Sequence, residues 1–222
     1  MDAESGDFAK LYQARFPSKE RAAKELVWQV LCSHFFARYI RPSDTVLDIG
    51  AGYCEFINHI RAARRIAVDA NPELASCAAP GVEAHCTAVE DLSFLEAGSV
   101  DVVFSSNFFE HLPNKAALNA LIAQIHRVLT PGGKLLAMGP NVKYVPGAYW
   151  DYYDHHIPLT EVSVGELLQL YGFRIEESLP RFMPYTIKSR LPTAPWIVRC
   201  YLALGRISFP LFGKQFFVVG RK

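Results

Sequence analysis

Two groups of residues in this chain have types and spacings that could do chemistry. The first is Asp48-Ile49-Gly50-Ala51-Gly52-Tyr53-Cys54, where two glycines sit one residue apart after the apolar run Val46-Leu47. Glycines at the carboxyl end of a first parallel strand let a ligand approach the backbone closely. Asp69 follows Gly50 by 19 residues, and a carboxylate at that spacing accepts both hydroxyls of a ribose. The second group lies downstream. Asn107-Phe108-Phe109-Glu110-His111 and Tyr149-Trp150-Asp151-Tyr152-Tyr153-Asp154-His155-His156 bring carboxylates, imidazoles and aromatic rings close together. A carboxylate beside a histidine orients the ring and raises its basicity, which is how a general base is made. His155 or His156 paired with Asp151 or Asp154 is the first candidate for that role, and His111 beside Glu110 competes with it.

These residues can meet only if a sheet carries them to one edge. Short apolar runs predict strands at Thr45–Gly50, Arg65–Ala70, Val82–Thr87, Val100–Ser106, Lys134–Gly139, Phe173–Glu177 and Gln215–Gly220. Helical spacing predicts helices at Ser18–Tyr39, Cys54–Ala63, Lys115–Leu129, Val162–Tyr171 and Pro195–Leu204. Strands alternating with helices imply a mostly parallel sheet covered on both faces, a single doubly wound, Rossmann-like α/β domain. Residues 1–43 form a helical extension and 44–222 the domain, with an irregular basic, aromatic insertion at about 178–214 before the last strand. The glycine bend and Asp69 then specify an adenosine-type ligand in the crevice where the strand order reverses. A dinucleotide fingerprint needs a small residue five positions after Gly50, and that residue is Glu55. A carboxylate there disfavours a pyrophosphate and with it NAD.

From Val46 to Gly52 the sequence resembles motif I of class I S-adenosylmethionine-dependent methyltransferases. The resemblance continues through Val68-Asp69-Ala70-Asn71-Pro72, Ala88-Val89-Glu90-Asp91-Leu92, Asp101 to Leu112, and Arg127-Val128-Leu129-Thr130-Pro131-Gly132-Gly133. It covers about residues 44–140 in the family's order and implies a seven-stranded sheet whose last strand is antiparallel. It also implies S-adenosyl-L-methionine as cofactor. Asp48 and the backbone of Gly50, Ala51 and Gly52 would hold its methionine moiety, with Cys54 where many members have a third glycine. Asp69 would take the ribose, Ala70 would pack on the adenine, and Val89 and Glu90 would contact it from the next loop. That loop departs from the common Gly-Asp opening, being Thr87-Ala88 here. Ser106 and Asn107 would line the cofactor near the transferred methyl, and Tyr12 and Arg15 would close over it. Acceptor-binding residues would come from about 141–160, as Asn141, Tyr144, Tyr149, Trp150, Tyr152 and Tyr153. Some relatives that use a divalent metal have Glu at both acidic places of the pattern after the fourth strand. Asn107 stands at the first here, so no metal site is expected.

The net charge is +1 over 222 residues, so no global field draws the chain to nucleic acid, and it contains no recognisable nucleic-acid module. That balance is uneven. Residues 1–177 carry 15 Lys/Arg and 22 Asp/Glu, whereas Ser178 to Lys222 carries eight basic residues and no acid. Such an end suits an anionic surface or ligand. Peripheral membrane contact, a lid over the acceptor, a homodimer interface and plain packing stay open as its use. The five cysteines show no C-x-x-C spacing and read as free thiols of a reducing compartment. The acidic N-terminus lacks an apolar signal region and no run is long enough to span a bilayer, so a cytoplasmic protein, membrane-associated at most at the inner face, is expected. Three function classes follow. They are methyl transfer to a small-molecule or lipid-linked acceptor (most readily a sugar or glycolipid hydroxyl), nicotinamide-dependent oxidoreduction, and a non-catalytic cofactor-binding module.

Overall fold

The computed structural model describes residues 18–89, 91–184 and 194–222, with side chains from Ala22 onward. Seven strands form one sheet: β1 (Thr45–Ile49), β2 (Arg64–Asp69), β3 (Val82–Cys86), β4 (Val100–Ser106), β5 (Leu129–Pro140), β6 (Arg174–Leu179) and β7 (Gln215–Arg221). Their order is β3-β2-β1-β4-β5-β7-β6, and β7 runs antiparallel to both neighbours. The expected doubly wound sheet with its antiparallel last strand is therefore present. The order reverses between β1 and β4, so their carboxyl ends open the crevice in which such folds bind ligands.

Side chains alternate across the strands, and each face has its own core. On one face Leu47, Ile49, Ile66, Val103, Leu135 and Val218 meet helix α3 (Lys115–Val128), which presents Leu118, Leu121, Ile122 and Ile125. Asn114 caps α3 by accepting the Ala117 N–H at 3.0 Å. Helix α4 (Glu161–Leu170) completes this layer and starts with a Thr160/Ser163 capping box. On the other face Val46, Ala67, Val102, Phe104, Leu136 and Phe217 meet helix α1 (Ser18–His34) through Val27, Trp28 and Leu31. The helical run does not continue to Tyr39; α1 ends at His34 and a single tight turn follows at Phe36–Arg38.

Two departures from the sequence reading matter. Cys54–Ala63 is not a helix. Cys54 adopts φ +64°, a left-handed conformation that a helix cannot propagate through, and residues 52–59 form successive turns. The other helices are the short α2 (Leu74–Cys77) and, near the C-terminus, α5 (Pro195–Ala203) and α6 (Gly205–Phe212). The last of these lies in the stretch read as irregular. Among the described residues no helix is long and apolar enough to cross a membrane.

An aromatic cluster ties α1 to the sheet. Phe104 stacks on Phe56 with centroids 3.7 Å apart and meets Phe36 and Trp28 edge-on at 5.1 and 5.9 Å. Phe104→Ala removes a ring that is 1% exposed, so urea unfolding should show a loss of about 3–5 kcal/mol with the slope unchanged. A loss under about 1 kcal/mol would mean that this cluster does not hold the face together.

Candidate functional site

The crevice begins at the glycine bend. Gly50 and Gly52 sit at φ +70° and +54°, a region open to glycine at no steric cost. A Cβ on Gly50 would lie 2.5 Å from the ring of Phe108, so the close approach that requires a glycine here is made by a side chain of the protein itself. Phe108 arrives there because Asn107 turns the chain with φ +50° while its N–H donates to Met138 O at 2.9 Å. Ser105 Oγ donates to Ile49 O at 3.1 Å and ties the two strand ends together.

The N–H groups of the bend are all engaged. Gly50 and Ala51 both donate to Val68 O, at 2.9 and 3.2 Å, and Gly52 donates to the Asp69 carboxylate at 2.7 Å. With no helix starting at Cys54, the bend lacks the free donors and the dipole that a pyrophosphate needs. Its carbonyls and the acids around it suit a cationic ligand group instead. Asp69 ends β2 with one oxygen on Gly52 and the other on the Asn71 N–H at 2.8 Å. Each oxygen keeps a lone pair for a hydroxyl donor, and burial raises the acid's pKa against those two hydrogen bonds. Asp48 is buried and accepts from the Ile57 backbone; burial, then the charges of Glu55 and Asp69, hold it well above the usual carboxylate range. Glu55 is also buried, beside Lys24 at 2.6 Å. Cys54 is buried, and burial followed by the charge of Asp48 pushes its thiol up to about 12. Ala70 is exposed and Val89 buried, while Ser106 accepts from the Asn107 amide at 3.0 Å. Bend, carboxylate and buried Val89 fit an adenosine with a cationic tail. Tyr12, Arg15 and Glu90 lie outside the described residues.

Four residues beyond Asn107, a second cluster forms. The Nδ1 of His111 faces two oxygens of Asp154, the backbone carbonyl at 3.0 Å and the carboxylate at 3.2 Å. Both only accept, so Nδ1 carries the proton and donates, which leaves Nε2 as the basic nitrogen of the neutral ring. Burial pulls the imidazole's pKa down, but the Asp154 hydrogen bond and the charge of Glu110 outweigh it and hold the value above the ordinary one. Glu110 is itself buried, and burial raises its carboxyl pKa. The Glu110 carbonyl accepts the N–H of His156 at 2.8 Å and of Ile157 at 3.2 Å, which clamps the 149–157 loop against the end of β4. The rings of Tyr152, Tyr149 and His111 surround buried His155 at 5.0, 4.6 and 4.9 Å. Ligand atoms of Glu110, His111 and His155 lie within 4.8 Å of one another, donor types that a divalent cation accepts.

The remaining acceptor candidates separate. Asn141 is fully buried; its amide donates to Glu161 at 2.6 Å and to Pro180 O at 2.9 Å, and its oxygen accepts from Lys143 N–H. It braces the loop and does not face a ligand. Tyr149 is fully buried and donates to Ile157 O. Trp150, Tyr153 and His156 are exposed. Tyr144 lies under the Arg181 guanidinium, 4.8 Å from its ring centre, on the wall of a separate cavity. Sequence reasoning missed the pairing of His111 with Asp154, which are 43 residues apart. Only the presence of an acid in the second group hinted at it.

Residues 47–137 match the family model of a methyltransferase domain. No curated protein matches the chain. Among solved structures it is similar to a SAM-dependent methyltransferase from Archaeoglobus fulgidus, at 22% identity over 96% of this chain and 98% of that one, with a TM-score of 0.68. A SAM-dependent methyltransferase from Methanosarcina mazei gives 17%, 85%, 97% and 0.58. An S-adenosylmethionine-dependent methyltransferase from Mesorhizobium loti gives 17%, 81%, 91% and 0.56. At these identities the likeness is one of fold. The segment that holds the glycine bend, Asp69 and the Asn107–His111 corner thus matches a methyltransferase domain, and the chain has the fold of the S-adenosylmethionine-dependent methyltransferases it resembles.

Proposed function

We propose that this chain is a methyltransferase that places a methyl group on a hydroxyl oxygen of a small-molecule or lipid-linked acceptor, with His111 as general base. The observation that carries the proposal is the orientation of His111, whose Nδ1 is held by Asp154 while Nε2 is left basic at the crevice end of β4. Bound S-adenosylmethionine supplies a methyl carbon on a positively charged sulfur, and transfer is an in-line displacement. Asp69 would take the ribose hydroxyls and fix the nucleoside, and the carbonyls of the bend would meet the methionine end. Alignment of this kind is worth roughly 7–11 kcal/mol. His111 Nε2 would accept the hydroxyl proton as the oxygen bonds to the methyl carbon and the carbon–sulfur bond breaks to leave neutral S-adenosylhomocysteine, and Asp154 would stabilise the imidazolium so formed. A positioned base contributes on the order of 10²–10⁴ in rate. The aromatic wall of Tyr149, Tyr152 and His155 excludes water beside it. The engaged donors of the bend argue against NAD, and a carboxylate-backed histidine argues against a purely binding role.

Calorimetry with S-adenosylhomocysteine tests the cofactor half: Asp69→Ala should weaken binding by about 1–3 kcal/mol, roughly 5- to 150-fold, and NAD should give no heat. Unchanged affinity in Asp69→Ala removes it from the ribose role. For the catalytic half, His111→Gln should lower transfer of labelled methyl into a cell extract by about 10²-fold or more, with homocysteine-adduct affinity intact. The assay contains EDTA, and a requirement for an added divalent cation would overturn His111 as the base.

The raised pKa of His111 gives a further test. Its ion pair with Asp154 stabilises the fold fully below the unfolded histidine value of about 6.5 and fades as pH rises through the raised folded value. Asp154→Asn should therefore cost about 1–2 kcal/mol at pH 6 and clearly less at pH 9, measured by urea unfolding. In wild type the rate should rise with pH as the ring deprotonates, and in Asp154→Asn that rise should move to lower pH. An equal stability loss at both pH values would contradict the ion pair.

A further inference from the structure

A cavity of about 970 Å³ lies between the end of α1, the Leu179–Arg181 segment and the α5–α6 hairpin, apart from the glycine bend. Four guanidinium groups line it, those of Arg38, Arg181, Arg199 and Arg206, with one carboxylate, Glu177, and apolar side chains that include Phe35, Leu202 and Phe209. Two of the four are engaged. Arg38 pairs with Glu177 at 3.1 Å, and Arg181 donates to the carbonyls of Gly213 and Leu211 at 2.7 and 3.2 Å. Arg199 and Arg206 have no hydrogen bond or ion pair among the described residues, and the chain contains no acid after Glu177. The same hairpin also exposes large apolar side chains. Trp196, Leu204, Ile207, Leu211 and Phe212 are 67, 58, 62, 62 and 47% exposed, an accumulation that isolated surface hydrophobics do not produce.

We propose that the α5–α6 hairpin docks the protein on an anionic lipid bilayer, with Trp196, Ile207 and Leu211 entering the interface and a lipid phosphate seated between Arg199 and Arg206. Charge complementarity selects this occupant. Unpaired guanidiniums beside exposed Trp and aliphatic side chains match a layer in which phosphates lie directly above hydrocarbon. A symmetric contact with a second copy would instead set the same unpaired arginines against each other. The cavity's lining repeats the match in kind, with guanidinium groups among apolar side chains. The proposal does not depend on methyl transfer.

The test is sedimentation of the full chain with phosphatidylglycerol-containing vesicles and with pure phosphatidylcholine vesicles, at about 0.1 M salt, where charges more than ~10 Å apart are screened. Binding is expected to the first and not to the second. It should fall at least about tenfold both in Arg199→Ala/Arg206→Ala and in Ile207→Ser/Leu211→Ser, with S-adenosylhomocysteine affinity unchanged. Absence of cosedimentation, equal binding to both vesicles, or insensitivity to either double variant overturns the proposal. So does full competition by millimolar glycerol phosphate, which would make the arginines a site for a free phosphate compound. A stable dimer in light scattering that Ile207→Ser/Leu211→Ser dissolves would assign the face to a second copy and overturn it as well. Vesicle binding without S-adenosylhomocysteine binding would sink the enzyme reading alone.

Discussion

The contact on which the site depends is the ring of Phe108 laid against the α-carbon of Gly50, in the space a Cβ would need. It joins β1 and β4 where the strand order reverses, and the Ser105–Ile49 hydrogen bond repeats the join one step back. Phe108 reaches Gly50 only because Asn107 accepts a left-handed conformation, which for a residue other than glycine is uncommon and must be held by its surroundings. The Asn107 N–H on Met138 O extends the constraint to β5. From this corner the chain runs directly into Glu110 and His111. The position of the basic imidazole relative to the bend is thus set by three adjacent strand ends and not by a free loop. A strained backbone at such a point is common where side chains must be held in fixed relation.

The same region discriminates between ligands by its hydrogen-bond accounting. Backbone N–H groups attract anions only if they are not already satisfied. Here those of Gly50, Ala51 and Gly52 all have acceptors inside the protein. Asp48, Glu55 and Asp69 add carboxyl groups whose mutual repulsion and burial raise the pKa values of Asp48 and Asp69. A positively charged ligand relieves that repulsion, and a pyrophosphate would worsen it. The glycine signature is therefore read through its neighbours: G-x-G permits either ligand, and the surrounding charge decides.

The central strands β1, β2, β4 and β7 were legible because each contains a short buried apolar run rich in β-branched residues, and α3 because its leucines and isoleucines recur on one face. The bend and Asp69 were legible as an ordered pair with fixed spacing. Less of the second cluster could be read. The acid that orients a histidine belongs to another loop, and nothing local in Asp154 distinguishes it from Asp151. Asn141 looked like a ligand-facing amide, yet a fully buried amide must satisfy its own donors and acceptor, and Glu161, Pro180 and Lys143 do so. The absent helix after Cys54 follows from one φ value, which no pattern of apolar spacing encodes. Helix α6 holds Pro210 past its first turn, where the ring removes one backbone hydrogen bond, so the stretch does not read as a helix.

The uneven charge of the chain also becomes intelligible in space. The acid-rich part sets Asp48, Glu55 and Asp69 around the bend, while the acid-free end brings Arg181, Arg199 and Arg206 to one cavity. Tyr144 connects the two. It belongs to the loop that follows β5, yet its ring lies under Arg181 on the wall of the basic cavity. Asn141, three residues earlier, is fixed to Pro180 and Glu161, so this end of the loop is tied to the cavity wall. The loop's far end is clamped to Glu110 by the His156 and Ile157 N–H groups. One loop therefore spans from the arginine-lined cavity to the carboxylate-backed imidazole, held at both ends by buried hydrogen bonds.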